Sequence, residues 1–216
     1  MKILISIFSS EKHINSRISF IKNSWLKDVD NYIIISDYDD IKNRTYQLSR
    51  DNSYVSNVEK NFKSFHFLYE NFLEFDWFLN LDDDTFLNYP NLVDLVKTLP
   101  KDEIFLLGKI NEGSLPSDRS LNYCSGGAGY LFNRITLNLL RRIDDSYNRT
   151  IFADANIGFF CRENQIKLIN NDLFHPTTPS FYHYDNNKIK NSISFHYIFG
   201  EEFNNLYKII KNEQNS

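Results

Sequence analysis

Three consecutive carboxylates, Asp82-Asp83-Asp84, close an aromatic and apolar run that opens with Asp76-Trp77-Phe78. A short, bulky, β-prone run of this kind reads as a buried strand. Three acids at a strand end repel one another and lose hydration, and the usual compensator is a divalent cation. In open α/β sheets ligands bind outside the carboxyl ends of the strands. The spacing therefore points to a metal site that holds a phosphorylated ligand. The alternative is a solvated acidic turn in which Asp82 or Asp83 caps the next helix.

Further signals recur along the chain. Acids follow another strand-like run at Asp37, Asp39 and Asp40. Ser125-Gly126-Gly127-Ala128-Gly129-Tyr130 concentrates three of the 7 glycines of the chain, which suits a tight turn against a ligand and equally a packing turn. It has neither the Walker nor the dinucleotide spacing. Asp154 stands between apolar residues at a helix start, as a candidate base or an N-cap. Phe174-His175-Pro176 can hold an imidazole rigidly or form a loop without a role. Taken together, an Asp and a His suit a hard-to-borderline ion such as Mn²⁺, and a glycine-rich turn can floor a substrate pocket.

The elements that must position these residues alternate between strand and helix. Strands are expected at 2–8, 31–36, 77–82, 103–110 and 166–169. Helices are expected at 13–25, 58–73, 91–99, 135–143, 155–163 and 203–210. Alternation predicts an α/β fold with a mostly parallel central sheet flanked by helices. The stretch 175–197, aromatic and proline-bearing, is expected to add a small antiparallel C-terminal part, with Phe181, Tyr182 and Tyr184 mostly in packing roles. With 216 residues, of which 42% are hydrophobic and 16% aromatic, one core and one domain over 1–216 are expected. The net charge of -4 without a basic tract argues against nucleic acid as a partner. Cys124 and Cys161 are too few for a disulfide framework or a thiolate cage and read as core residues, their pairing left open. The apolar start is too short for a signal segment and no stretch is long enough to span a membrane, so a cytoplasmic protein is expected.

The order of these motifs resembles the Fringe-like β-1,3-glycosyltransferases, the core 1 galactosyltransferases among them, over nearly the whole chain. The resemblance is carried by His13 and Arg17, Ile34-Ile35-Ser36-Asp37, Lys63, Trp77 through Phe86, Leu107-Gly108-Lys109, Ser125 through Tyr130, Ala153-Asp154 with Ile157-Gly158, Leu173 through Pro176, and Ser194-Phe195-His196-Tyr197. It implies a GT-A fold, with a nucleotide-binding half over about 1–110 and an acceptor and catalytic half over about 111–200. It also implies an inverting enzyme that uses Mn²⁺ or another divalent cation. That enzyme would move a hexose or N-acetylhexosamine from a UDP-sugar to a glycan, glycolipid or glycoprotein acceptor, with a β-1,3 linkage. By position, Asp84 and His175 would ligate the metal and Asp154 would be the catalytic base. Asp82 would contact the ribose, with Asp83 supporting it. Asp37, Arg17, Lys63, Gly126 and Gly127 would lie on the donor side, and Tyr130 and His196 on the acceptor side. Ala153 replaces an acid often found before the base. Two other readings stay open: a non-catalytic glycan- or nucleotide-binding or chaperone-like member, and a sugar-nucleotide hydrolase or nucleotidyltransferase using the same acids.

Overall fold

The computed structural model describes residues 1–51, 53–113 and 115–212. Strands β1 (Ile3–Phe8), β2 (Tyr32–Ser36), β3 (Thr45–Gln47), β4 (Trp77–Asp82), β6 (Phe105–Gly108), β9 (Tyr130–Asn133) and β10 (Lys167–Asn170) form one sheet in the order β10-β6-β9-β4-β1-β2-β3. All are parallel except β9, which runs antiparallel to both β4 and β6. The inner strands are apolar at nearly every position because both sheet faces are covered. Ile3, Ile5, Ile7, Trp77, Leu79 and Leu81 enter one core, with Leu92 and Val96 of α3 (Tyr89–Thr98) and Phe203 and Leu206 of α7 (Glu202–Lys211). Leu4, Phe8, Phe78 and Phe132 enter the other core. There they meet α2 (Ser56–Asn71), α4 (Arg134–Leu140) and α5 (Ala153–Glu163). This alternation is the two-residue period of a strand.

Three departures from the sequence expectation matter for the site. The helix expected over 13–25 is broken into a 3-10 turn at Glu11–His13, a π-turn at Ile14–Ile18, α1 (Ser19–Asn23) and a second 3-10 turn at Trp25–Asp28. Such wide turns cluster at functional sites, and this one carries Arg17. The strand expected over 103–110 ends at Gly108, and the chain then forms a separate antiparallel pair of β7 (Ile110–Glu112) and β8 (Asn122–Cys124). The C-terminal part is mixed: β11 (Phe174–His175) pairs parallel with β12 (Ser194–Phe195), which pairs antiparallel with β5 (Phe86–Leu87). The short α6 (Asn186–Asn191) links β11 to β12. Cys124 and Cys161 are buried free thiols, as packing roles require. Among the described residues no helix is long and apolar enough to cross a membrane.

Candidate active site

Asp82 is the last residue of β4, paired with Phe8 at the end of β1. The chain turns there, and Asp83 and Asp84 fold back over the carboxyl edge. The turn is held from several sides. The Asp83 amide donates to the Phe8 carbonyl at 3.1 Å, the Ser9 hydroxyl donates to Asp83 Oδ2 at 2.7 Å, and Trp25 Nε1 donates to the Thr85 carbonyl at 3.1 Å. Arg17 Nη1 lies 2.7 Å from Asp83 Oδ1 and 3.3 Å from Asp84 Oδ2. Both Asp83 oxygens are thus held by close protein donors, and all three acids line a cavity, Asp82 being the most open of them.

The third member of this cluster is His196. Antiparallel pairing sets Phe195 opposite Phe86, so one step forward along β12 and one step back along β5 brings His196 beside the acid turn. Tyr197 then adopts φ 60, a left-handed conformation uncommon for a residue with a side chain. The chain turns back so that the Ile198 amide donates to the Asp84 carbonyl at 2.9 Å. His196 Nε2 stands 3.0 Å from Asp84 Oδ1 and 3.9 Å from Asp82 Oδ2. Burial alone would lower the pKa of this imidazole. Its hydrogen bond to Asp84 and the charges of Asp84 and Asp82 outweigh that and raise it. Asp82 opens onto the cavity, yet desolvation in that concave floor, followed by the charge of Asp84, pushes its carboxyl up to about 7.

The structure does not bring His175, the ligand expected from the sequence, into this cluster. His175 is buried, its ring stacks on Phe195 with centroids 4.6 Å apart, and its Nε2 meets Ser192 Oγ at 2.9 Å. Burial, then the charge of Lys109, lowers its pKa to about 4. The contribution of the His-Pro turn is to the backbone: the His175 carbonyl accepts from the His196 amide at 3.1 Å and so aligns the strand that delivers His196. The unfolded chain takes up a proton near pH 6.5, whereas folded His175 does so only near 4. The contribution of His175 is therefore full above pH 6.5 and falls as pH drops from 6.5 toward 4, while the raised pKa values of Asp82 and His196 act with the opposite sign. On acidification through that window, thermal melts should show the wild type losing stability relative to His175→Gln, by at most about 1.4 kcal/mol per pH unit.

Asp154 sits in the first turn of α5. Its Oδ1 accepts from the Ala155 amide at 2.9 Å and its Oδ2 from the Gly126 amide at 3.0 Å, so the glycine turn holds the carboxylate. Burial raises its pKa against the pull of those amides, which strengthens it as a base. The helix start is fixed by Asn156, whose side chain accepts from the Arg149 and Thr150 amides and donates to the Thr150 carbonyl. Gly158 lets α5 lie against β8, since a Cβ there would come within 2.6 Å of Tyr123 Cβ. At Gly127 a Cβ would lie 2.1 Å from His196 Cε1. The glycine turn thus serves the base on one side and the imidazole on the other.

Two adjoining cavities share Phe8, Tyr54, Asn57, Asp82, His196 and Tyr197. The smaller, about 310 Å³, adds Asp83, Asp84 and a cationic set of Lys12, Arg17 and Lys60, with His13 beside them. The larger, about 460 Å³, adds Asn80, Tyr123, Gly126, Gly127, Phe152 and Asp154. Lys63 is outside both: it is exposed and paired with Glu59. The lysine of this site is Lys60, one turn earlier, buried, with Nζ donating to the Ser9 carbonyl at 3.0 Å. Nothing in the helical stripe separated the two lysines, apart from Lys60 falling on its buried side. Asp37 lines neither cavity; its Oδ1 accepts from the Glu11 amide at 2.8 Å and from Ser36 Oγ at 3.0 Å. Tyr130 is buried in the cavity floor, its hydroxyl satisfied by Asn61 and Asn80.

The donor set fits a divalent cation. Asp82, Asp84 and His196 offer two oxygens and a nitrogen within 4.8 Å of one another, a combination suited to ions such as Mn²⁺. The proton between His196 and Asp84 would leave on binding, because metal ligands must be deprotonated.

Comparison with known proteins agrees with this architecture. The family model described as Fringe-like matches residues 1–215. The chain is 25% identical over 138 residues to glycoprotein-N-acetylgalactosamine 3-beta-galactosyltransferase 1 of Xenopus laevis, covering 63% of this chain and 37% of that protein. It is 35% identical over 68 residues to chondroitin sulfate glucuronyltransferase of Homo sapiens, covering 32% of this chain and 9% of that protein. The chain thus matches little more than a third of the frog relative and about a tenth of the human one. Among solved structures, a glycosyltransferase involved in glycosylation of the major capsid of PBCV-1 superposes with a TM-score of 0.59 at 13% identity, over 95% of this chain and 99% of that one. The galactosyltransferase LgtC, with donor and acceptor sugar analogues, superposes with a TM-score of 0.54 at 11% identity, over 99% of this chain and 97% of that one. With its sheet, its acid turn and a family match that runs from end to end, this chain belongs to the Fringe-like family of glycosyltransferases and has the GT-A fold.

Proposed function

We propose that the protein is a metal-dependent, inverting glycosyltransferase. It moves a hexose or N-acetylhexosamine from a UDP-sugar to a hydroxyl of an acceptor glycan and forms a β-1,3 linkage. The observation that carries this reading is one cavity lined at once by Asp82, His196 and Asp154 and continuous with a cationic compartment. The linkage rests on the family and on the 3-beta-galactosyltransferase relative.

The roles follow from charge and position. Arg17 and Lys60 line the smaller compartment and suit the diphosphate of the donor. Asp82, Asp84 and His196 would hold the divalent cation, which when bound neutralises charge on the leaving diphosphate. The anomeric carbon must then lie between that cluster and Asp154. Asp154 takes the proton of the acceptor hydroxyl as its oxygen bonds to the anomeric carbon and the bond to the diphosphate breaks. Among the residues lining the larger cavity the carboxylates are Asp82 and Asp154. With Asp82 on the cation, no second carboxylate remains to form a covalent sugar intermediate, so a single displacement with inversion follows.

The test is incubation with a panel of UDP-sugars, Mn²⁺ and simple acceptor sugars, with products identified by mass spectrometry and proton NMR. A β-glycoside formed from one donor, and abolished by chelator, is the expected result. Acceptor-independent release of UDP would instead indicate a hydrolase, and no turnover a binding protein. The lysine assignment has its own check. Lys60→Met should weaken UDP binding by about tenfold, roughly 1.4 kcal/mol, whereas Lys63→Met should leave it unchanged, both read by calorimetry.

A further inference from the structure

Asn80 lies two residues before Asp82 on β4, hence on the same face of the strand. It is 1% exposed and contributes to the wall of the larger cavity. Its orientation is set by a chain of hydrogen bonds that starts on α2. Asn61 Nδ2 donates to the Asn57 carbonyl at 2.9 Å, and a carbonyl can only accept. The remaining Asn61 Oδ1 therefore faces Tyr130 and accepts its hydroxyl proton at 2.9 Å. A phenol has one proton, and burial holds the Tyr130 phenol protonated by raising its pKa. With that proton committed to Asn61, Tyr130 Oη can only accept from Asn80, which presents Nδ2 at 3.2 Å. Asn80 Oδ1 is thereby fixed as the other end of the amide. It is withdrawn from bulk water and has no hydrogen-bond partner. A buried carbonyl oxygen left unpaired is uncommon and disfavoured, and this one belongs to a residue of the reaction cavity.

We propose that Asn80 Oδ1 is the acceptor that reads the transferred sugar, uncovered by a small shift of the cavity wall on donor binding and taking a hydrogen bond from one ring hydroxyl or from an acetamido N–H of the donor. This rests on the transferase reading above, which places the sugar ring between Asp154 and the cluster of Asp82, Asp84 and His196. Asn80 is the neighbour of Asp82 on that strand face, so it meets the transferred ring rather than the nucleotide. Its amide cannot rotate to present Nδ2 to the ring without leaving Tyr130 unsatisfied. The position accordingly demands a hydrogen-bond donor on the sugar and rejects a bare methylene, the kind of demand through which enzymes discriminate most strongly.

The experiment compares kcat/KM for the preferred UDP-sugar and its monodeoxy analogues in the wild type and in Asn80→Leu, with UDP affinity measured in both. In the wild type one monodeoxy donor should be disfavoured by at least about 10²-fold. In Asn80→Leu that ratio should shrink to within about tenfold, while the ratios at other ring positions and the affinity for UDP stay unchanged. Equal loss for all donors, or an unaltered profile, would overturn the proposal and leave Asn80 as structural support. A wild type that accepts every monodeoxy donor equally would overturn it without any variant. A wild type that binds UDP yet transfers no sugar would remove the transferase reading itself.

Discussion

Asp154→Asn is expected to lower turnover by about 10²–10⁴-fold, the contribution typical of a general base, with UDP affinity preserved. Asparagine keeps the size of the side chain and one acceptor oxygen but cannot take a proton from the incoming hydroxyl. The two amides that bind Asp154, those of Gly126 and Ala155, would compete for that single oxygen, so a modest loss of stability accompanies the substitution. Donor binding depends on the neighbouring compartment of Arg17, Lys60 and the acid turn, and the substitution touches none of these. Steady-state kinetics with saturating acceptor, paired with calorimetric UDP titration, separates the two effects. A variant with near-normal turnover would remove Asp154 from the chemistry.

Gly127→Ala should be nearly as damaging, although it adds one methyl group to a residue with no functional side chain. The new Cβ would lie 2.1 Å from His196 Cε1, far inside contact distance. The ring has little room to yield: Tyr197 stacks on it with centroids 3.8 Å apart, and its Nε2 is held 3.0 Å from Asp84 Oδ1. The imidazole must then leave Asp84 or the glycine turn must shift, and that turn also holds Asp154. A displacement of about 1 Å in such a site lowers the rate by about 10²-fold, and overpacking destabilises by about 1–3 kcal/mol. Both Mn²⁺-dependent UDP binding and turnover should fall in Gly127→Ala, unlike Asp154→Asn, in which turnover alone falls. Normal Mn²⁺ response in the alanine variant would mean that His196 is not required for the cation.

Parts of this site were legible in the sequence for physical reasons. The acid turn announces itself because a hydrophobic strand ends in charges that cannot all be buried unaided. The strand–helix alternation follows from a sheet covered on both faces. Other parts depend on pairings between distant segments. β9 was missed because four residues immediately after a glycine-rich turn carry too little pattern to separate strand from loop. His175 and His196 are equally plausible ligands when read along the chain. Only the antiparallel register of β12 on β5 reveals which of them reaches Asp84. Lys60 and Lys63 share one helix, and the direction of its buried face chooses between them. The role of Asn156 in fixing the start of α5 had no local signature, since an asparagine in a first helical turn is unremarkable until its three backbone partners are seen.

The central claim is that His196, with Asp82 and Asp84, completes a cation site that binds the donor diphosphate. The most direct measurement is calorimetric UDP binding with and without Mn²⁺ in the wild type, His196→Asn and His175→Gln. Mn²⁺ should strengthen UDP binding in the wild type and in His175→Gln, and this gain should be lost in His196→Asn. A gain that survives in His196→Asn and disappears in His175→Gln, or a wild type indifferent to Mn²⁺, would contradict that claim.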